Sequence, residues 1–232
     1  MAKKGTSANT KDIELPVGFE TVPAEDAEAR EVLTTARVAL LLKAAFFGNM
    51  ATRLPLVNAD AWLATAATDG RYFYYNSKFI LMLKPKEVEF LFGHEVLHNV
   101  YDHLGRSRAN KHHAQLANIA ADYCVNRDLK FARIGVMITT VPALYDPKYD
   151  GYSMEEVYDE LYQNMDKIDI DDLADMLLDE HLDGEEGENS GQPQEDGNGN
   201  LVSKSKPKYG VVILCYQVWF LRVLLILQLV LI

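Results

Sequence analysis

From Pro23 onward the apolar positions fall at helical spacing. Glu25, Asp26 and Glu28 come first, followed by Val32, Leu33, Ala36, Val38, Leu40, Leu41, Ala44, Phe46 and Phe47, with Gly48-Asn49 at the end. Acidic groups suit the positive N-terminal end of a helix and Gly or Asn suits its C-terminal cap, so one long helix is expected here. Its later turns are apolar nearly all round, as in a helix inside a core. Pro55 and Asn58-Ala59-Asp60 break the pattern. Residues 61–67 and 71–76 then flank Thr68-Asp69-Gly70, and an Asp-Gly between runs rich in β-compatible residues signals a hairpin. A short helix is expected over 77–83. Lys84-Pro85 opens the next helix, with Gly105 as its C-cap. After a polar loop at 106–111, a further helix is expected over 113–129, then an extended piece at 136–141 and a loop at 145–152. Ser153 and Glu156 have the spacing of a capping box and begin the last helix, so the compact part ends near Asn164.

Composition divides the 232 residues into four segments. Residues 1–22 are a polar, flexible N-terminus, and 23–164 are the folded domain. Residues 165–209 are an acidic low-complexity linker, and 210–232 an apolar tail. The net charge is −11, but 166–198 alone hold thirteen acidic side chains against Lys167, a local sum of −12, which leaves +1 for the rest. The acidity therefore describes a linker whose composition buries too little to fold, and no nucleic-acid-binding feature is evident. The tail at 211–232 is apolar except for Gln217, Arg222 and Gln228, long enough to span a bilayer, and preceded by Lys204, Lys206 and Lys208. It reads equally as a membrane anchor or as a stub left by truncation or a changed reading frame. The two cysteines, Cys124 and Cys215, make neither a disulfide framework nor a Cys-based zinc site. A polar N-terminus without an apolar core points to the cytoplasm.

The candidate chemistry sits in the helix that opens at Lys84-Pro85. Its sequence Gly93-His94-Glu95-Val96-Leu97-His98 is an H-E-x-x-H motif among apolar neighbours. On a helix, His94 and His98 stand one turn apart on one face and can hold one Zn2+ ion, with Glu95 beside them as general base. The bland alternative is an exposed helix carrying two unrelated histidines. The apolar Phe90, Leu91, Phe92, Val96 and Leu97 argue for burial instead, and buried polar groups need a partner.

A catalytic zinc takes three protein ligands and keeps a position for water. His103 lies nine residues past His94, about 180° round a continuous helix, and so is poorly placed. Tyr101 and Leu104 stand where the metzincin pattern needs Gly and His, which excludes that pattern. His112 and His113, at the start of the next helix, remain alternatives. The choice falls on Asp122. Asn118, Asp122 and Asn126 form a polar stripe at spacing four on an otherwise apolar helix; solvent exposure would explain it, but so would a metal ligand, Asp122, oriented by Asn118 and Asn126.

Four segments in this order resemble the putative metallopeptidase domain of bacteria and their phages: 64–76 with Ala66-Ala67-Thr68-Asp69-Gly70 and Tyr74-Tyr75-Asn76, then His94–His98, then Asn118–Tyr123, then Gly151–Tyr158. The resemblance covers about residues 25–185. It implies a zincin-like α+β fold, zinc, and Glu95 as base. In that family an acidic linker and a von Willebrand A-like domain often follow; here only the apolar tail follows Lys208, which favours the stub over the anchor.

The expected molecule is thus α+β and zincin-like, mostly helical, with a small antiparallel sheet packed on the H-E-x-x-H helix. Its expected activity is zinc-dependent hydrolysis of a peptide or protein substrate. Strand 72–75 would offer an edge for the substrate, and the oxyanion would be steadied by one of Tyr123, Tyr149, Tyr152 or His113. The alternative is an inactive zincin-fold binding or scaffold module with a structural metal.

Overall fold

The computed structural model describes residues 20–165, 173 and 193–205. The elements run α1 (Pro23–Lys43), α2 (Ala45–Thr52), β1 (Leu56–Asn58), β2 (Ala66–Thr68), β3 (Phe73–Tyr75), α3 (Ser77–Met82), α4 (Pro85–Val100), α5 (His103–Asn110), α6 (Ala114–Ala132), a 3-10 turn (Pro147–Tyr149), α7 (Met154–Gln163), β4 (Gln194–Glu195) and β5 (Leu201–Val202). The fold is α+β, as expected, with helices dominant. The expectations for 1–19, for most of the acidic stretch and for the apolar tail lie outside the described residues. No helix among the described residues is long and apolar enough to cross a membrane.

The sheet is mixed rather than antiparallel. Its order is β2-β3-β1-β5-β4. The expected hairpin is present: β2 pairs antiparallel with β3, Ala67 opposite Tyr74, and Asp69-Gly70 turns the chain with Gly70 at φ 81°. β1, however, runs parallel to β3, with Val57 opposite Tyr74, and parallel to β5, with Asn58 opposite Val202. Placing β3 inside the sheet also removes it as a candidate edge for substrate; β2 and β4 are the edges. Alternation along β3 sorts its faces. Phe73 and Tyr75 enter the main core with α1 and α4, while Tyr74 joins Val57, Ala59, Leu63 and Ala67 on the other face.

Residues 193–205 fall within the stretch expected to be linker, yet they form the β4–β5 hairpin. Asp196 Oδ1 accepts the backbone N–H groups of Asn198 and Asn200, both at 2.8 Å, and fixes the turn. β5 is then held from outside: Arg30 donates to Leu201 O at 2.9 Å, and Ser203 N donates to Asn58 O at 2.8 Å. The composition is too polar to build a core of its own, but two apolar residues suffice to extend an existing sheet.

Two helices end earlier than expected. The first breaks at Ala44 (φ −142°, ψ 72°), and α2 folds back so that Gly48 packs on α1. A Cβ at Gly48 would lie 2.3 Å from Leu41 N, so the glycine serves a backbone crossing and not a helix cap. The second, α4, stops at Val100 instead of running on to Gly105. Asp102 takes the left-handed conformation (φ 52°), which Asp tolerates better than most residues, and its carboxylate caps α5 by accepting Gly105 N at 3.1 Å.

α4 is the centre of the molecule. Every residue from Glu87 to His98 is buried. It packs between α1 and α2 on one side and α6 on another. Burial of Phe90, Leu91 and Phe92, each fully enclosed, contributes about 1.5–3 kcal/mol apiece. Residues 136–141 are not part of the sheet; this segment is pinned to the start of α4. Gly135 (φ +62°) makes that possible, because a Cβ there would fall 2.4 Å from Phe90 N and 2.5 Å from Lys86 O. α7 begins as its pattern predicted: Ser153 accepts Glu156 N at 3.2 Å, and Glu156 accepts Ser153 N at 2.7 Å. α6 and α7 share a second core with Leu144 and Tyr149.

Candidate metal centre

α4 and α6 lie close because Gly93 carries no side chain where they touch. A Cβ there would meet Leu129 Cδ2 at 2.8 Å and Ile134 Cγ2 at 3.0 Å. This close approach brings the H-E-x-x-H turn against the polar stripe of α6. His94 Nε2 and His98 Nε2 are 3.0 Å apart, and Asp122 Oδ1 lies 3.5 Å from the first and 3.3 Å from the second. Among the described residues these are the His, Cys, Asp or Glu side chains whose donor atoms gather within 4.8 Å of one another. All are buried: His94 and Asp122 are 0% exposed and His98 4%. Glu95, next to His94, is 0% exposed as well.

The hydrogen bonds around the triangle settle which nitrogen of His94 faces inward. Asn126 Nδ2 donates to Leu144 O at 2.9 Å, so its Oδ1 is the atom turned to His94. That oxygen can only accept, and it lies 2.9 Å from His94 Nδ1, so Nδ1 carries the proton and Nε2 presents a lone pair to the centre. Two imidazole nitrogens and a carboxylate oxygen lie 3.0–3.5 Å from one another. Either a proton on His98 Nε2 bridges them, or a cation at the centre lets all three turn lone pairs inward. Tetrahedral zinc bonds of about 2.0–2.2 Å subtend ligand–ligand edges of roughly 3.3–3.6 Å, so the triangle fits one face of a tetrahedron.

Of the residues singled out from the pattern, Asp122 joins both histidines and Asn126 holds His94. Asn118 does not share that role. It is half-buried, its side chain hydrogen-bonds no other described residue, and it lines a small cleft with His103, Leu104, Ser107 and Met154. His112 and His113 do not reach the centre. His112 stacks on Tyr158 with ring centroids 3.9 Å apart, and His113 is exposed, its backbone N–H donating to Tyr158 Oη at 2.9 Å. Tyr149 packs against Tyr123 and Tyr152, centroids 4.8 and 5.9 Å away, in the core shared by α6 and α7. Burial raises the phenol pKa of both Tyr123 and Tyr149.

His103 stays outside the donor cluster, as its spacing implied, but stands beside it. The break at Asp102 swings it back, and its Nδ1 lies 3.2 Å from His98 Nδ1 with the ring 3% exposed. The signal was present in the sequence: an Asp three residues before a Gly inside a supposed helix is a cap as well as a member. Farther along α4, Asn99 Nδ2 donates to Glu95 O at 2.9 Å and to Thr68 Oγ1 at 3.3 Å, tying the helix to β2.

The family described as "Putative metallopeptidase domain" matches residues 28–210. The chain belongs to this family. The match takes in α4 and α6 and extends through β5, so the strand returning at 201–202 falls inside the family's span. Comparison with curated proteins and with solved structures gave no match in either case.

Proposed function

We propose that this member of the family is a zinc-dependent peptidase, in which His94, His98 and Asp122 hold the metal and Glu95 is the general base. The observation that carries the reading is the triangle of buried donor atoms with 3.0–3.5 Å edges. Zinc held there would supply a Lewis acid that polarises a peptide carbonyl and makes water readily deprotonated near neutral pH. Asn126 keeps the His94 lone pair aimed inward. Glu95, on the turn between the two histidines, would take the proton from the attacking water and hand it to the departing amine. The edge strand β2, linked to α4 through Thr68 and Asn99, is the part of the sheet where an extended peptide could add by main-chain pairing.

A second reading, an inactive binding or scaffold module with a structural metal, is favoured by one observation: the closure of the site. Structural zinc sites are sealed, whereas catalytic ones keep a position open to water. The two readings part at Glu95. The test is zinc content and hydrolysis of a mixed peptide pool for the full chain and for Glu95→Gln. The peptidase reading expects equal zinc and a loss of hydrolysis in the variant. Stoichiometric zinc without hydrolysis by either protein selects the scaffold, and a parent chain that binds no divalent metal sinks both.

A further inference from the structure

We propose that His103 is a positioning residue for the metal centre: its Nδ1 accepts the proton on His98 Nδ1 and so keeps the His98 Nε2 lone pair directed at the ion. The inference rests on the metal reading above and concerns a residue outside the H-E-x-x-H motif. The two nitrogens of an imidazole point away from each other. A residue bonded to Nδ1 therefore cannot also reach the atom at Nε2, so His103 is not a fourth ligand. It stands to His98 as Asn126 stands to His94. At 3.2 Å, Nδ1 to Nδ1, one ring must donate and the other accept. A His98 that binds through Nε2 has its proton on Nδ1, which makes it the donor and requires neutral His103 with its own proton on Nε2.

The backbone is built to deliver this contact. α4 would carry residue 103 to the far side of the helix if it continued. Asp102 instead takes φ 52° and ψ 42°, and its carboxylate receives Gly105 N, which starts α5 with His103 as its first residue. A Cβ at 105 would collide with that carboxylate at 2.3 Å from Oδ1, so Asp102 and Gly105 form one fitted turn. Arg106, on the next turn of α5, is paired with Glu155 and donates to Tyr101 O at 3.3 Å, which anchors the short helix from its other side. The ring of His103 also lies edge-on to that of His98, with centroids 5.1 Å apart and planes at 77°.

The test compares the full chain with His103→Leu and His103→Asn, titrated with Zn2+ against a chromophoric chelator and with Co2+ followed by its visible spectrum. Asn places Oδ1 the same number of bonds from the backbone as His Nδ1, so it keeps an acceptor where Leu has none. Loss of a partner to a ligating His typically lowers metal affinity 10–100-fold. The expected result is a weakening of about that size in His103→Leu with an altered Co2+ spectrum, and recovery to within about threefold in His103→Asn. Parent-like affinity in His103→Leu, or equal weakening in both variants, overturns the inference while leaving the metal centre standing. A parent that binds neither ion overturns the metal reading itself. Should His103→Leu not fold, ring-nitrogen NMR of the zinc-loaded parent decides. Protons on His98 Nδ1 and His103 Nε2 support the proposal, and a proton on His103 Nδ1 directed at His98 overturns it.

Discussion

Glu87 fixes the start of the helix that carries the candidate metal centre, and its charge gives a measurable handle on that role. The residue is 1% exposed. Its two oxygens accept from Thr139 N and Oγ1, both at 2.8 Å, from Thr140 N at 3.3 Å and Oγ1 at 2.6 Å, and from Lys84 N at 2.9 Å, with Lys84 Nζ at 3.4 Å. Burial alone would raise the carboxyl pKa; the donors from Thr140, Lys84 and Thr139 outweigh it and bring it down to about 2 from 4.5. A folded-state pKa below the unfolded one means the stabilisation is present above the unfolded value and lost as pH falls through the folded one. The shift corresponds to about 3 kcal/mol near neutrality, of which roughly 2 kcal/mol should be gone by pH 3. In Glu87→Gln the charge is absent at every pH. Chemical denaturation of parent and variant at pH 7 and pH 3 should therefore show a difference in stability of about 2–3 kcal/mol at the higher pH, shrinking to about 1 at the lower. A difference that stays constant across this window would show that the ionised carboxylate is not what pins residues 139–140 to α4.

Three further outcomes follow from the same geometry. Gly135→Ala combines φ +62° with a Cβ 2.4 Å from Phe90 N; it should destabilise by at least about 2 kcal/mol in urea denaturation, and a neutral result would remove the close approach of this loop to α4. Asn126→Asp keeps an acceptor for His94 but loses the donor to Leu144 O. Zinc affinity should hold within a few-fold while stability falls by about 1–3 kcal/mol; Asn126→Leu should weaken zinc binding 10–100-fold, and the reverse order would contradict the assigned roles. Chelation should lower the melting temperature of the full chain, and zinc at about 100 times its Kd should restore some 2.7 kcal/mol; a melting curve indifferent to both would argue against any metal at the triangle.

The clustering of the candidate metal centre was far more legible in the sequence than the sheet around it. His94, Glu95 and His98 announce themselves by residue type at helical spacing, and Asp122 and Asn126 by being polar on a helix that is otherwise apolar. Both signals are local and periodic. β1 and β5 have neither property: strands of three and two residues are shorter than any alternation can be read over, and Val57 meets a partner at Leu201, far along the chain. An acidic, glycine-rich stretch conceals β5 by composition, although Asp196-Gly197-Asn198-Gly199-Asn200 carries the residues of a hairpin turn. The nearness of His103 to His98 was hidden for a different reason. A helical wheel assumes a continuous helix, and one left-handed residue at Asp102 rotates everything after it. The breaks at Ala44 and Asp102 share this feature: apolar periodicity reports which side faces the core, not whether the axis continues.

The burial of Glu95 weighs on the choice between enzyme and scaffold. A sealed structural site gains its stability from its ligands and their hydrogen-bonded supports, and His94–Asn126, His98–His103 and Asp122 already provide that arrangement on three helices. A further carboxylate at 0% exposure adds desolvation that a structural site has no need to bear; an apolar residue at position 95 would pack as Val96 and Leu97 do. A peptidase needs a base at that position, held close to the metal and away from bulk water, where its proton affinity is set by its surroundings. On the peptidase proposal, the closed arrangement is the state in which Glu95 is shielded. Of the elements around the centre, α5 is the one bounded by left-handed residues at both ends, Asp102 at φ 52° and Lys111 at φ 55°, and it carries the support of one ligand as well. Displacement of α5 would take His103 away from His98 and so loosen the support of one candidate ligand. Hydrogen exchange at the amides of α5 faster than at those of α4 and α6 is the expected outcome, and equal protection across the three helices would tell against α5 as the part that moves.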